Sequence, residues 1–412
     1  MSRFPLSTLD VVSWVMDRPD RPLDFTLIVH ASRFPDAEAL REGARSAMHR
    51  YPVTASTIDG AAWVRSPHVS PPEFAVRSAS SDDAALETLQ HFVDDVLDLR
   101  GHIPVRQLFI THSGGRASIL ATRFHHAAAD GRSAAMWIGH QLDVAQGHAA
   151  PDAENGVVGR VALRSGRRRR RAGRDRVADP LWRRPASPTR GRSWHTIQFD
   201  CDGLRRRVRD IGAFTYNDAL AAIALESCID WNRRHAVDAA AMGLWMPVDV
   251  RRLSRSGFGN GTSRIRIRTP FAVDEPFHIK CRRVHRAISS AIRSGEWAVP
   301  ESAAAMRLPS WLMKPVLRRY LDRPWADVGS MAFSHLEHAN DWSDDVAVDG
   351  IECVGPLHRR HACAIYGVTR GGRTSLTFTY DPALLTPADV EDFAGMYEKR
   401  IPTAAQELTC AA

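Results

Sequence analysis

The run HHAAADG at 125–131 places two adjacent histidines, an aspartate and a glycine within one short segment. An imidazole titrates close to physiological pH, so a histidine held rigidly at a cleft suits removal of a proton from an attacking alcohol or amine. His126 is the candidate base. Asp130, further along the same turn, is placed to fix it through a buried salt bridge. This combination of types and offsets arises by chance on the order of once in a few hundred chains. Other suggestive spacings are weaker. Cys353, His358, His361 and Cys363, in CVGPLHRRHAC, match none of the common tetrahedral zinc patterns, so no metal is expected. GFGNG at 257–261 lacks the third glycine and the following helix of a dinucleotide loop. No Gly-x-Ser-x-Gly elbow is present, which disfavours a serine hydrolase.

The motif needs elements that hold it. Apolar, β-branched runs at 24–31, 104–112 and 117–124 predict strands, the last two joined by Ser113-Gly114-Gly115. Helical patterns cover 36–50, 82–96 and 133–144. HHAAADG therefore sits on a strand-to-helix turn, where a side chain can be presented rigidly at a sheet edge. Residues 147–193 lose periodicity and fill with Gly, Pro, Arg and Ser, the pattern of a linker. Beyond it come strands at 194–199, 242–249, 263–268, 329–335, 345–351, 361–368 and 374–380. Helices are expected at 216–234, 275–293, 309–321 and 386–408. Interleaved strands and helices on both sides of a linker give an α/β protein. The expected division is an N-terminal lobe at 1–150 carrying the motif, a linker at 151–193 and a C-terminal lobe at 194–412.

Length and composition agree with two lobes. The chain has 412 residues, 44% apolar and 25% charged, the balance of a globular protein too long for one ordinary core. No apolar run is long enough to span a bilayer, and the start lacks the features of a signal peptide. Six scattered cysteines without a Cys-x-x-Cys pair read as free thiols in a reducing cytoplasm. The net charge of +8 is carried almost wholly by arginine, and much of the excess lies between Arg164 and Arg176. Such a block reads first as a solvated linker. Docking of an acidic carrier protein or of CoA phosphates is the second reading, and nucleic-acid or membrane binding the third.

HHAAADG resembles the HHxxxDG signature of the condensation domains of nonribosomal peptide synthetases and their relatives. These include chloramphenicol acetyltransferase, plant BAHD enzymes, polyketide-associated acyltransferases and wax ester synthase/diacylglycerol acyltransferases. Further segments resemble the family in order: PLSTLDVVSW at 5–14, MHRYP at 48–52, PVRQLFI at 104–110, MPVDVR at 246–251, FGNGTS at 258–263 and SLTFTYDPALLTPADVEDF at 375–393. The resemblance implies two chloramphenicol-acetyltransferase-like lobes, a pseudo-dimer of mixed sheets flanked by helices, with a tunnel between them. It implies direct acyl transfer from a CoA or carrier-protein thioester to a hydroxyl or amine, with His126 as base and no permanently bound cofactor. His125 and Asp130 become structural, with Asp130 paired to Arg251. The Gly131 N–H is an oxyanion candidate, with Asn260 and Ser263 as further oxyanion or substrate contacts. FGNG departs from the corresponding stretch of both the plant enzymes and the condensation domains, so neither subfamily is specified. The implied partners are a small-molecule acceptor and an acyl or peptidyl carrier protein, with no nucleic acid, for a free-standing monomeric cytoplasmic enzyme of natural-product biosynthesis. The alternatives are cyclisation, epimerisation or elimination on a tethered intermediate, and a non-catalytic scaffold that binds carrier proteins.

Overall fold

A computed structural model describes residues 3–65, 73–99, 101–112, 118–148, 181–187, 191–237, 242–251, 257–268, 275–298, 310–321, 329–337, 342, 346–358 and 361–409. The Arg164–Arg176 tract lies outside these residues. The first part of the chain runs β1 (Arg3–Pro5), α1 (Thr8–Met16), β2 (Asp24–Arg33), α2 (Ala37–Arg50), β3 (Ser56–Asp59), β4 (Ala62–Arg65), β5 (Glu73–Ala79), α3 (Asp82–Asp94), β6 (Val105–His112), β7 (Ser118–His125) and α4 (Gly131–Ala145). The second runs β8 (Ser193–Asp200), α5 (Asp202–Ile211), α6 (Tyr216–Arg234), β9 (Gly243–Asp249), β10 (Thr262–Arg268), α7 (Phe277–Arg293), α8 (Ser310–Leu321), β11 (Met331–Leu336), β12 (Ala347–Val354), β13 (Cys363–Arg370), β14 (Arg373–Tyr380) and α9 (Pro387–Thr409).

The helices start where short polar side chains cap them. Ser7 and Thr215 form capping boxes with Asp10 and Asp218 at the starts of α1 and α6, and Asp130 caps α4. β2 carries apolar residues on both faces, Phe25, Leu27 and Val29 on one and Ile28 on the other, because both are buried. Phe25, Leu27 and Val29 join the core that includes Leu40 and Ala44 of α2 and Trp137 and Ile138 of α4. Ile28 points the other way, into the core formed with Leu89 and Val93 of α3.

Three sheets result, in the orders β1-β4-β3, β12-β2-β7-β6-β5 and β10-β9-β11-β13-β14-β8. In the six-stranded sheet, Leu244, Met246, Ile265, Ile267, Met331, Phe333, Ile365, Leu376 and Phe378 share a core with α6 and α9. Period-2 alternation puts Trp245, Arg264 and Arg266 on its opposite face. Over Ala219–Leu225 α6 is apolar on every side, as a helix segment packed on several sides must be.

The sequence assigns the strand near 345–351 to the C-terminal lobe, and the structure differs. β12 pairs antiparallel with β2 and so completes the first lobe's sheet, with register shifts between Ala347 and Gly350. It also packs across the six-stranded sheet: Cys353 N–H donates to Thr377 Oγ1 at 3.0 Å and Trp194 Nε1 to Glu352 Oε2 at 2.7 Å. Two glycines permit this approach. A Cβ at Gly350 would sit 2.3 Å from Gln198 Nε2, and one at Gly355 2.2 Å from Tyr366 Cζ. Period alone shows a strand here; the partner strand lies more than 300 positions away and leaves no local trace. α5 and the short strands β1, β3, β4 and β5 are likewise absent from the sequence reading. The described cysteines, Cys201, Cys228, Cys281, Cys353 and Cys363, are free thiols. Among the described residues no helix is long and apolar enough to cross a membrane.

Candidate active site

β7 ends at His125 and α4 begins at Gly131, so the motif spans one turn. The turn is tied at its start: His126 N–H donates to Leu23 O at 2.9 Å, and His125 O accepts from Ala128 N–H at 2.9 Å. His125 is wholly buried and its Nδ1 accepts from Ala127 N–H at 3.0 Å. The neutral ring therefore carries its proton on Nε2, which faces Asp17 Oδ2 at 3.6 Å. This arrangement shapes the turn.

The His126 ring is half-buried and lies with its centroid 4.7 Å from that of Phe25. Neither ring nitrogen makes a hydrogen bond to any described residue. Burial pulls its pKa down to about 4; Asp130 opposes this, His125 adds to it and Asp24 opposes it. At neutral pH the ring is an uncharged base with a free lone pair.

Asp130 faces the other way. Its Oδ1 accepts from Ser133 N–H at 3.0 Å and Arg251 Nη2 at 2.7 Å, and its Oδ2 from Gly261 N–H at 2.9 Å and Thr262 Oγ1 at 2.8 Å. Burial alone would raise its pKa, but Arg251 and the N–H donors win and hold the carboxyl below its ordinary range. Arg251 is itself buried and reaches Ser133 Oγ, Gly259 O and Asp249 Oδ1 at 3.0, 3.2 and 3.2 Å.

The FGNG segment packs onto this pair. Phe258 stacks on Tyr51 with centroids 4.5 Å apart. Gly259 has φ +137°, a conformation that favours glycine, and its carbonyl accepts from Ser133 Oγ at 2.8 Å. A Cβ at Gly261 would lie 2.7 Å from the Arg251 side chain. The segment is thus shaped around Arg251 and Ser133.

Gly131 is the first helical residue of α4, and its N–H meets no acceptor among the described residues. Free N–H groups and the helix dipole make this end favourable to negative charge. Asn260 and Ser263 are placed differently. Asn260 Nδ2 donates to Ser13 Oγ at 3.1 Å and Leu9 O at 3.5 Å, anchoring α1. Ser263 Oγ donates to Trp297 O at 2.5 Å. Both are buried and their donors are taken by protein acceptors. The four side chains of CVGPLHRRHAC do not converge: His358 and His361 lie together against Trp245, their ring centroids 5.2 Å apart, whereas Cys353 sits on β12 and Cys363 belongs to the helix-side core.

One charged group near the turn escaped the sequence reading. Asp24, wholly buried at the start of β2, holds Arg123 Nη2 at 2.5 Å and Arg192 Nη2 at 2.6 Å. The signal was present: a charged residue inside the apolar strand SILATRFH needs a buried partner.

No protein-family model matches the chain, and no curated protein matches it in sequence. Solved structures do match in fold. The condensation domain of the monacolin K polyketide synthase MokA superposes with a TM-score of 0.69 at 12% identity, covering 99% of this chain and 98% of that one. The cyclization-docking bidomain of the EpoB nonribosomal peptide synthetase from Sorangium cellulosum gives 0.68 at 12% identity, covering 98% and 85%. The starter condensation domain of the rhizomide synthetase RzmA, a variant in complex with C8-CoA, gives 0.68 at 12% identity, covering 98% and 95%. The chain has the condensation-domain fold, as the resemblance of its motif implies.

Proposed function

We propose that the protein is an acyltransferase of the condensation type. It moves an acyl group from a CoA or carrier-protein thioester to a hydroxyl or amine of a small-molecule acceptor. The reading rests above all on His126, a neutral imidazole without a hydrogen-bond partner among the described residues, held beside the N-terminus of α4 on a turn where His125 and Asp130 are engaged.

In the proposed step the acceptor O–H or N–H gives its proton to His126 as its oxygen or nitrogen bonds to the thioester carbonyl carbon. The carbonyl oxygen takes up the electron pair, and the free Gly131 N–H supports the resulting oxyanion. The carbonyl re-forms, the C–S bond breaks and the thiolate takes the proton from the imidazolium. No acyl-enzyme forms. Asp130 stays out of the reaction, bound by four donors.

The same fold occurs in the epimerization domain of tyrocidine synthetase B and in the teicoplanin X-domain, the latter also seen in complex with OxyB. Proton transfer on a tethered intermediate and non-catalytic partner binding are therefore the outcomes to separate. Mass spectrometry of products formed from a panel of acyl thioesters separates them. A new ester or amide supports transfer; an isomerised, cyclised or dehydrated product supports the second reading; no product with any thioester favours the third. His126→Ala should fold normally and lose roughly 10²–10⁴-fold in rate. Retention of more than about a tenth of the rate would remove His126 as the base.

A further inference from the structure

The five-stranded sheet ends on β5, in the order β12-β2-β7-β6-β5, with no strand beyond it among the described residues. β5 pairs with β6 along its whole length in one register, without a bulge, and contains no proline. Arg77 O faces β6, where Thr111 Oγ1 donates to it at 3.4 Å. Backbone groups alternate in direction along a strand, so the N–H and C=O of Phe74, Val76 and Ser78 point off the edge. There the Val76 carbonyl accepts from Arg77 Nη1, the side chain next to it in sequence, at 2.9 Å.

Sheet edges are ordinarily blunted by charge, proline or a bulge. β10, an edge of the six-stranded sheet, follows that rule: Arg264, Arg266 and Arg268 alternate along it, and self-pairing would set arginine against arginine. β5 reads differently. Its run Glu73-Phe74-Ala75-Val76-Arg77 is self-complementary about Ala75. Laid antiparallel on a copy of itself, it puts Glu73 opposite Arg77, Phe74 opposite Val76 and Ala75 opposite Ala75. In this register the outward groups of Phe74 and Val76 exchange hydrogen bonds, and Glu73 and Arg77 fall at the closely spaced, non-hydrogen-bonded positions. The surroundings are apolar in the same place. Of the large apolar side chains exposed among the described residues, Val76, Leu86 and Val96 fall on β5, on α3 and just after it; Val316 alone lies elsewhere. α3 runs back over β5, and Arg106 ties its end to the start of the strand, reaching Glu73 Oε2 at 3.3 Å and Asp95 Oδ2 at 2.5 Å. Ala75 packs into the core under α3, whereas Phe74 packs on the other face with Arg41 Cζ 5.1 Å from its ring centre.

We propose that β5 pairs with β5 of a second copy of this chain, joining two five-stranded sheets into one across a two-fold axis at Ala75. The contact is isologous, the same patch on both copies. Two Glu73–Arg77 pairs close it on the α3 face, and Phe74 and Val76 pack across the axis on the other. The two α3 helices come to lie side by side on one face of the joined sheet, which brings the exposed apolar side chains of this region to the contact. β6 separates β5 from β7, the strand that leads into the His126 turn, so association leaves the site itself untouched. The family resemblance by itself implies a monomer, and association state is therefore the readout.

The experiment is sedimentation equilibrium of the full chain over micromolar concentrations. Wild type should sediment as a dimer. Arg77→Glu sets a glutamate against Glu73 twice over, and Glu73→Arg sets an arginine against Arg77 twice over. Each variant should raise the dimer Kd roughly tenfold or more. An equimolar mixture of the two restores both opposite-charge pairs, so it should associate as the wild type does, a result that loss of packing alone would not give. Both side chains are exposed, and circular dichroism checks that the variants fold. If Glu73→Arg does not fold, having lost Arg106, Arg77→Glu decides alone. A monomeric wild type, a dimer that Arg77→Glu leaves at wild-type strength, or two folded variants that fail to associate when mixed would each overturn the proposal.

Discussion

Asp130 and Arg251 form a buried ion pair, 2.7 Å between Oδ1 and Nη2, that joins the cap of α4 to the end of β9. One carboxylate thereby starts the helix, orients the arginine and receives the backbone of Gly261. Breaking one partner of such a pair typically costs ~3–5 kcal/mol, because the other charge stays buried and unpaired. Asp130→Ala should lower the free energy of unfolding by that amount. Activity should fall with it, since Asp130 also caps the helix that follows the His126 turn. A variant with unaltered stability in urea titration would show the pair to be dispensable.

Acid should weaken the fold through its buried histidines. Burial pulls His361 to about 3 and His140 to about 4, and both are nearly inaccessible to water. In the unfolded chain they take up a proton near their ordinary value of about 6.5. The unfolded state then binds more protons than the native one, so stability is complete above pH 6.5 and declines as pH falls toward 4. Each group contributes up to about 1.4 kcal/mol per pH unit in that window. Denaturation midpoints that stay constant between pH 7 and 5 would contradict this. His126, at about 4, sets the acid limb of kcat/KM near that value, with a plateau from about pH 5 to neutrality.

Asn260 and Ser263 are predicted to act on stability rather than on turnover. Losing the hydrogen bonds of Asn260 to Leu9 and Ser13 should cost about 1–2 kcal/mol. Asn260→Ala and Ser263→Ala should both keep most of kcat. A fall of 10²-fold or more in kcat at full stability would instead make the altered residue an oxyanion donor.

The tract from Arg164 to Arg176 is predicted to be a linker without a role in donor binding. Replacing its arginines with Ser should leave the donor KM unchanged at low and at physiological salt. A donor KM that rises with salt in the wild type, over a Debye length of ~8–10 Å, and is salt-insensitive in the Ser variant would assign it to docking.

The parts of this site that are local in sequence are legible there. His125, His126 and Asp130 lie on one turn, and the cap, the strand before it and the helix after it all follow from short-range pattern. Arg251 as partner of Asp130 came through resemblance, because nothing in the local pattern links positions so far apart. The Asp24 cluster was missed for the same reason: its bonds span 99 and 168 positions. The resemblance offers Asn260 as an oxyanion or substrate contact, whereas in the fold its side-chain amide donates to Ser13 and Leu9 of α1. Side-chain type is visible in a sequence; whether its hydrogen bonds are spent is a property of packing.

β12 also decides how this chain can be divided. A fragment ending before Ala347 would leave β2, a long apolar strand, as a bare sheet edge of the kind that aggregates. The complementary fragment would carry a strand whose hydrogen-bond partner is missing. Neither half is a module that could be moved alone into another protein, and a graft of this fold must carry both halves together.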